Sequence, residues 1–143
     1  MLRKDDIKIR VDTNPSKTDD EFVRDALHQF NIQQVGKEDH YSAFATDSTN
    51  EIVGGISVYA EISSIYIDIL WVHESKRGQG IGSQLLKAVE QEAIRRKIPF
   101  STTDTFTFQA VDFYIKNDYQ KIGIIENYLE GHDRIFFRKK LID

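Results

Sequence analysis

The chain has 143 residues, 40% apolar and 29% charged, with a formal net charge of -4 and no cysteine. That length fits one domain, residues 1–143, able to bury a core without disulfide or metal staples, and no apolar run approaches the roughly 20 residues that span a bilayer. The acidic balance gives no field for holding nucleic acid, the missing cysteine excludes thiolate nucleophiles and zinc–thiolate sites, and the four histidines (28, 40, 73 and 132) include no metal-pair spacing, so no metal is expected.

At the start of the chain, Met1-Leu2-Arg3-Lys4-Asp5-Asp6 lacks the apolar stretch of a secretory leader, and a cytoplasmic address is the expectation. Ile7-Lys8-Ile9-Arg10-Val11 alternates apolar and polar residues, the period of a half-buried strand, and Asn14-Pro15 stops it. Thr18-Asp19-Asp20-Glu21 has the form of a capping box; Phe22, Ala26, Leu27 and Phe30 follow at helical spacing, which predicts a helix of about three turns. Residues 41–46 and 52–60 read as a hairpin turning through Asp47-Ser48-Thr49-Asn50, with Gly54-Gly55 marking a bulge or a close contact.

Residues 65–72 are apolar on both alternating faces apart from Asp68, the pattern of a central strand covered on both sides. Residues 83–96 carry Leu85, Leu86, Val89 and Ala93 as a helical stripe that Lys97 closes, and 98–103 resume as strand, which makes a right-handed parallel unit. Residues 109–117 form a second short helix after it, and 119–125 and 134–141 a final hairpin across Gly131.

Between the central strand and the long helix, Arg77-Gly78-Gln79-Gly80-Ile81-Gly82 places three glycines at alternate positions. Bare main-chain N–H groups at a helix start make an anion cradle, and residues without Cβ let a phosphate come close. No Gly-Lys-Ser or Gly-Lys-Thr follows, so this is not a P-loop. The dinucleotide fingerprint is matched by Gly78-x-Gly80 and a later Asp104, but Ser83 stands where its third glycine belongs and the repeated βαβ halves are missing.

The same six residues match the Arg/Gln-x-x-Gly-x-Gly/Ala loop of the GNAT-type N-acetyltransferases. Leu70-Trp71-Val72-His73 before it, Gln84-Leu85-Leu86 after it, and Phe113-Tyr114-Ile115-Lys116-Asn117-Asp118-Tyr119 farther on are also similar to that family's segments. The chain resembles a small bacterial member over nearly its whole length, most weakly across residues 13–39. The resemblance implies an α+β fold: a mixed, mostly antiparallel twisted sheet of about six or seven strands, its central parallel pair splayed around the cofactor, with about three or four flanking helices.

The resemblance further implies that the main-chain N–H groups of Gln79, Gly80, Ile81, Gly82 and Ser83 hold the pyrophosphate of acetyl-coenzyme A, with Arg77 and Gly78 in the same loop. Trp71 and Val72 would lie along the pantetheine arm, the Val72 N–H polarising the thioester carbonyl. Tyr114 corresponds to the residue that protonates the departing sulfur; its other reading is an aromatic that packs the second helix. Asp68 is the candidate for taking the amine's proton, or else a carboxylate that caps backbone or pairs with a buried cation, with Glu74 and His73 as rivals. Lys116 reaches the cofactor phosphates or is a solvated helix-end lysine.

Three departures from the family pattern stand out: Gln109 near the customary asparagine of the pantetheine site, Asp118 in place of a glycine, and a loop 73–76 without proline. Thr105-Phe106-Thr107-Phe108-Gln109-Ala110 and Gly131-His132 resemble a subgroup with no common acceptor; Phe106 and Phe108 line an acceptor pocket or belong to the core. The function implied is transfer of an acetyl group to a primary amine of a small molecule, by direct attack in a ternary complex. Neither nucleic acid nor membrane is an expected partner, and pairing into a homodimer through sheet edges occurs among relatives. The alternatives are a non-catalytic acyl-coenzyme A-binding sensor or interaction module of the same fold, and an NAD(P)-binding oxidoreductase.

Overall fold

The computed structural model describes residues 6–143, and the leader expectation for residues 1–5 lies outside them. The chain divides into two compact units, one ending at Gly36 and the other beginning at Lys37.

In the first unit, α1 (Lys17–Val35) begins one residue before the expected box, because the Ser16 hydroxyl accepts from the Asp19 N–H at 3.1 Å. It runs 19 residues, longer than the expected three turns. The polar segment 31–35 is rich in glutamine, which continues a helix readily, and the end comes only at Gly36, at φ 89°. Residues 7–12 form no strand despite their alternation. A strand needs a neighbour for its backbone groups, and none is present in this unit among the described residues.

The second unit contains β1 (Asp39–Thr46), β2 (Ile52–Ala60), β3 (Ser64–Val72), α2 (Ile81–Arg95), β4 (Phe100–Phe106), α3 (Val111–Lys116), β5 (Gln120–Leu129) and β6 (His132–Lys140). The strands form one sheet in the order β1-β2-β3-β4-β6-β5, antiparallel throughout except for β3 with β4. This is the mixed sheet that the sequence predicts, with six strands.

One face of the sheet carries the core. Ile56, Val58, Ile65, Ile67 and Phe137 are buried there with the α2 stripe Leu85, Leu86, Val89 and Ala93, each large side chain contributing about 1.5–3 kcal/mol. A buried polar cluster stitches the same layer: the Tyr119 hydroxyl lies 2.8 Å from Glu90 Oε2 and 2.7 Å from Ser101 Oγ, while Lys139 Nζ donates to Glu90 Oε1 at 3.0 Å.

β3 departs from its expected double coverage. Its register with β2 jumps from Ser57↔Ile69 to Val58↔Ile67, so Asp68 is the extra residue of a bulge. The bulge reverses the alternation: Ile65 and Ile67 face the core before it, Leu70 and Val72 after it. An apolar run that looks two-sided is therefore a one-sided strand that changes phase halfway. Elsewhere α2 starts at Ile81 rather than 83, and β4 extends to Phe106 because β6 pairs with it along its full length. α3 starts at Val111 rather than 109, since Gln109 Oε1 accepts from the Phe106 N–H at 3.0 Å and closes the preceding turn.

Candidate active site

The parallel ladder is short. β3 and β4 pair only through Ser64↔Phe100, Ile65↔Ser101 and Tyr66↔Thr102, after which they part. The Thr103 hydroxyl, donating to the Ile67 carbonyl at 3.1 Å, bridges them just beyond the last pair.

Farther along β3, the His73 N–H donates to the Val53 carbonyl at 2.7 Å. Adjacent antiparallel pairs alternate in type, so Gly54↔Val72 is the non-hydrogen-bonded kind and the Val72 N–H and C=O point away from β2, into the gap that β4 has left. From that gap Arg77 Nε donates to the Val72 carbonyl at 3.0 Å. Gly54 permits the close packing behind: a Cβ on it would stand 3.2 Å from the Trp71 carbonyl oxygen and 3.3 Å from Leu85 Cδ1.

The glycine loop delivers a helix start to the same gap. Gly78 and Gly80 sit at φ 77° and 83°, in the left-handed region. Gly80 is the N-cap of α2 and supplies no side-chain acceptor, so the first-turn amides of Ile81, Gly82 and Ser83 are left for a ligand or water. The space where a Cβ of Gly80 would stand is open for 4 Å. Gly82 instead faces α3, where a Cβ would press on Phe113 Cε2 at 3.2 Å, and Asn117 Nδ2 donates to Ser83 Oγ at 3.3 Å.

A cleft of about 950 Å³ lies in front of these amides. It brings together Trp71, Val72, Arg77, Gly78, Gly80, Ile81, Gly82, Ser83 and Gln109 of the expected site. Lys76 and Lys121 also line it, giving three cations with Arg77 in an otherwise acidic chain. The sequence offered Lys76 only as a neighbour of Arg77, and nothing marked Lys121, which is placed there by the position of β5 in the sheet. Gln79 and Lys116 are exposed and stand outside the lining. The Gln109 carbonyl is committed to the Phe106 N–H and the Thr105 hydroxyl. Asp118 adopts φ 69°, in the left-handed region that glycine, and after it aspartate and asparagine, enter most readily.

Tyr114 is 4% exposed and does not line the cleft. Its ring packs on Phe113, Tyr119 and Phe137. Burial raises its pKa, opposed in part by the nearby Thr103 side chain, which marks the fork of the two strands. Asp68 is exposed at the bulge, on the sheet face opposite the core, and so needs none of the partners that an apolar surrounding would demand. Phe106 is half-buried and Phe108 is exposed, so neither is a core residue.

On the Asp68 face the structure adds a cluster absent from the sequence reading. The Tyr66 hydroxyl donates to Asp104 Oδ2 at 2.6 Å and Arg134 Nε donates to Asp104 Oδ1 at 3.0 Å, linking β3, β4 and β6 at the fork. Burial pushes Tyr66 up to about 12, helped by the Asp104 carboxylate. Burial alone would raise Asp104, but Arg134 and Tyr66 outweigh it and hold the carboxyl below its usual value. A depressed pKa contributes stability that is present above the unfolded value, ordinarily about 3.9, and is lost as pH falls through the folded one. Thermal melts between pH 6 and about 3 are therefore expected to show a steeper acid loss for the wild type than for Asp104→Asn; parallel curves would refute the linkage.

Comparison with known proteins agrees with this fold. The family model for the acetyltransferase (GNAT) domain matches residues 10–132. An acetyltransferase of Agrobacterium fabrum is 28% identical over 120 residues, covering 82% of this chain and 88% of that protein. The blasticidin-S acetyltransferase of Streptomyces morookaense is 29% identical over 108 residues, 74% of this chain and 79% of its own. Among solved structures, an acetyltransferase from Bacillus cereus superposes with a TM-score of 0.78 at 29% identity, covering 92% of this chain and 97% of that one. An aminoglycoside 6'-N-acetyltransferase complexed with coenzyme A shares the fold, with a TM-score of 0.65 at 21% identity over 79% of each chain. The chain belongs to the GNAT acetyltransferase family and is an acetyltransferase. No helix among its described residues is long and apolar enough to cross a membrane.

Proposed function

We propose that this protein transfers the acetyl group of acetyl-coenzyme A to a primary amine of a small molecule, by direct attack within a ternary complex. The carrying observation is the uncapped first turn of α2 opening onto a cleft whose wall also holds Lys76, Arg77, Lys121 and Asp112 and reaches the gap-facing amide of Val72. Backbone donors at a helix start, a positive helix end and three cations suit a diphosphate. A solved structural neighbour is an aminoglycoside 6'-N-acetyltransferase complexed with coenzyme A, and a relative is named blasticidin-S acetyltransferase, which supports the donor and the acceptor class.

Acetyl-coenzyme A supplies the activated acyl carbon. The Val72 N–H donates to its carbonyl oxygen, where negative charge develops as the amine adds. We assign to Tyr114, buried rather than in the cleft wall, the proton that the sulfur takes as the carbon–sulfur bond breaks, a role that requires the thioester to reach the fork. Asp68, exposed on the other face of the sheet, receives the proton lost by an amine that enters from that face, directly or through a water. We read residues 1–143 as a single functional domain, supported by a family match that spans both compact units, and place it in the cytoplasm on its lack of cysteine.

Calorimetry with acetyl-coenzyme A followed by thiol release across a panel of amines tests the reading. Saturable heat and amine-dependent thiol are expected. Absence of any heat overturns the cofactor assignment, whereas binding without turnover on any amine makes the chain an acyl-coenzyme A-binding module.

A further inference from the structure

Two stretches of sequence, residues 105–110 and 131–132, meet in space. The Thr107 N–H donates to the Asp133 carbonyl at 3.0 Å, the Asp133 N–H donates to Thr107 Oγ1 at 3.2 Å, and that hydroxyl lies 3.3 Å from His132 Nδ1. Four rings collect around the junction. Phe106 and Phe108 stack with planes 2° apart and centroids 5.6 Å apart; His132 meets Phe108 edge-on at 4.8 Å, and Tyr128 meets Phe106 at 5.7 Å.

The core does not require this cluster. Phe108 is 55% exposed and Tyr128 47%. Yet the strand is irregular beside it: between Ile125 and Leu129 the β5 register breaks, with Asn127 at φ 48°, while Glu130 and Gly131 at φ 37° and 82° form the hairpin turn. The kink is held by the Asn127 N–H donating to Asp133 Oδ1 at 2.9 Å and the Gly131 N–H donating to Asn127 Oδ1 at 2.6 Å. Non-glycine residues at positive φ persist only where their surroundings enforce them, and irregular strand segments re-aim side chains. Here the re-aimed side chain is Tyr128. Phe108 and Thr107 also form part of the cleft wall, so the cluster meets the cavity through Phe108.

We infer that these rings are the specificity subsite for the acceptor, and that the acceptor is an amine carrying a flat unsaturated ring, which stacks on Phe108. The inference rests on the acetyl-transfer reading and narrows its substrate class. A flat ring gains offset or edge-on contacts with aromatic side chains in addition to buried area, whereas a saturated ring of equal size gains area alone.

Benzylamine and cyclohexylmethylamine form the discriminating pair, used with the full chain both in ligand-observed NMR with coenzyme A present and in thiol-release kinetics. Wild type is expected to bind benzylamine about tenfold more tightly than its saturated analogue, with the difference in KM rather than kcat. Phe108→Leu, which keeps apolar bulk without a ring, should bring the ratio to within about twofold of unity, and Phe108→Tyr should restore it. Equal binding of the two amines by wild type, or a preference that survives Phe108→Leu, overturns the subsite. Ring-selective binding without any thiol release supports the subsite while refuting acetyl transfer to these amines, so the two readings fail separately.

Discussion

Gly80→Val is expected to weaken acetyl-coenzyme A binding about a hundredfold. At φ 83° a β-branched residue cannot hold the N-cap conformation of α2, so the chain must relax and swing the amides of Ile81, Gly82 and Ser83 off their common aim. Losing about two hydrogen bonds to a charged group, at about 1.5–3 kcal/mol each, is enough for that factor. Strain alone also lowers the melting temperature, so a control is needed. Gly36→Val supplies it: Gly36 has φ 89° with nothing within 4 Å of its added Cβ, and it caps α1 rather than the cleft helix. The control should melt early and bind normally. If Gly80→Val binds the cofactor as wild type does in calorimetry, the helix start is not the diphosphate site.

The glycine loop and α2 were legible in the sequence because both depend on local rules. Leu85, Leu86, Val89 and Ala93 repeat at helical spacing, and Gly78 and Gly80 occupy conformations that other residues resist. What the sequence hid is set by neighbours. The alternation of Ile7, Ile9 and Val11 promised a strand, but alternation says nothing of whether a partner stands beside it. Asp68 drew notice as an intruder in an apolar strand; that it is a bulge, with the strand changing phase around it, depends on the register against β2. The length of the β3–β4 ladder, which decides where the fork opens, is equally a property of the pair. For Phe106 and Phe108 the sequence left pocket wall and core both open, and only the folding back of the β5–β6 hairpin shows them gathered with Tyr128 and His132, with Phe108 on the cleft. Asp104 joined Tyr66 and Arg134 across separations of 38 and 30 residues, beyond the reach of any local pattern.

Tyr114→Phe is the second large effect, a fall in kcat of about a hundredfold with the dissociation constant for coenzyme A unchanged. The substitution removes one hydroxyl from a side chain that is 4% exposed and leaves its ring contacts with Phe113, Tyr119 and Phe137 in place. Removing one hydroxyl from a buried ring should cost about 1 kcal/mol of stability, too little to unfold the protein. Burial raises the phenol above its ordinary value of 10.0, so Tyr114 keeps its proton throughout the neutral and mildly alkaline range. The kcat of the wild type should accordingly show no alkaline decline from this group below about pH 10. A buried phenol is a weak acid, but a departing thiolate is a base generated beside it, and the transfer is needed only as the carbon–sulfur bond breaks. The competing role is packing alone, and it makes the opposite forecast: a lower melting temperature with kcat intact. That result would leave the proton to solvent and Tyr114 as a core aromatic.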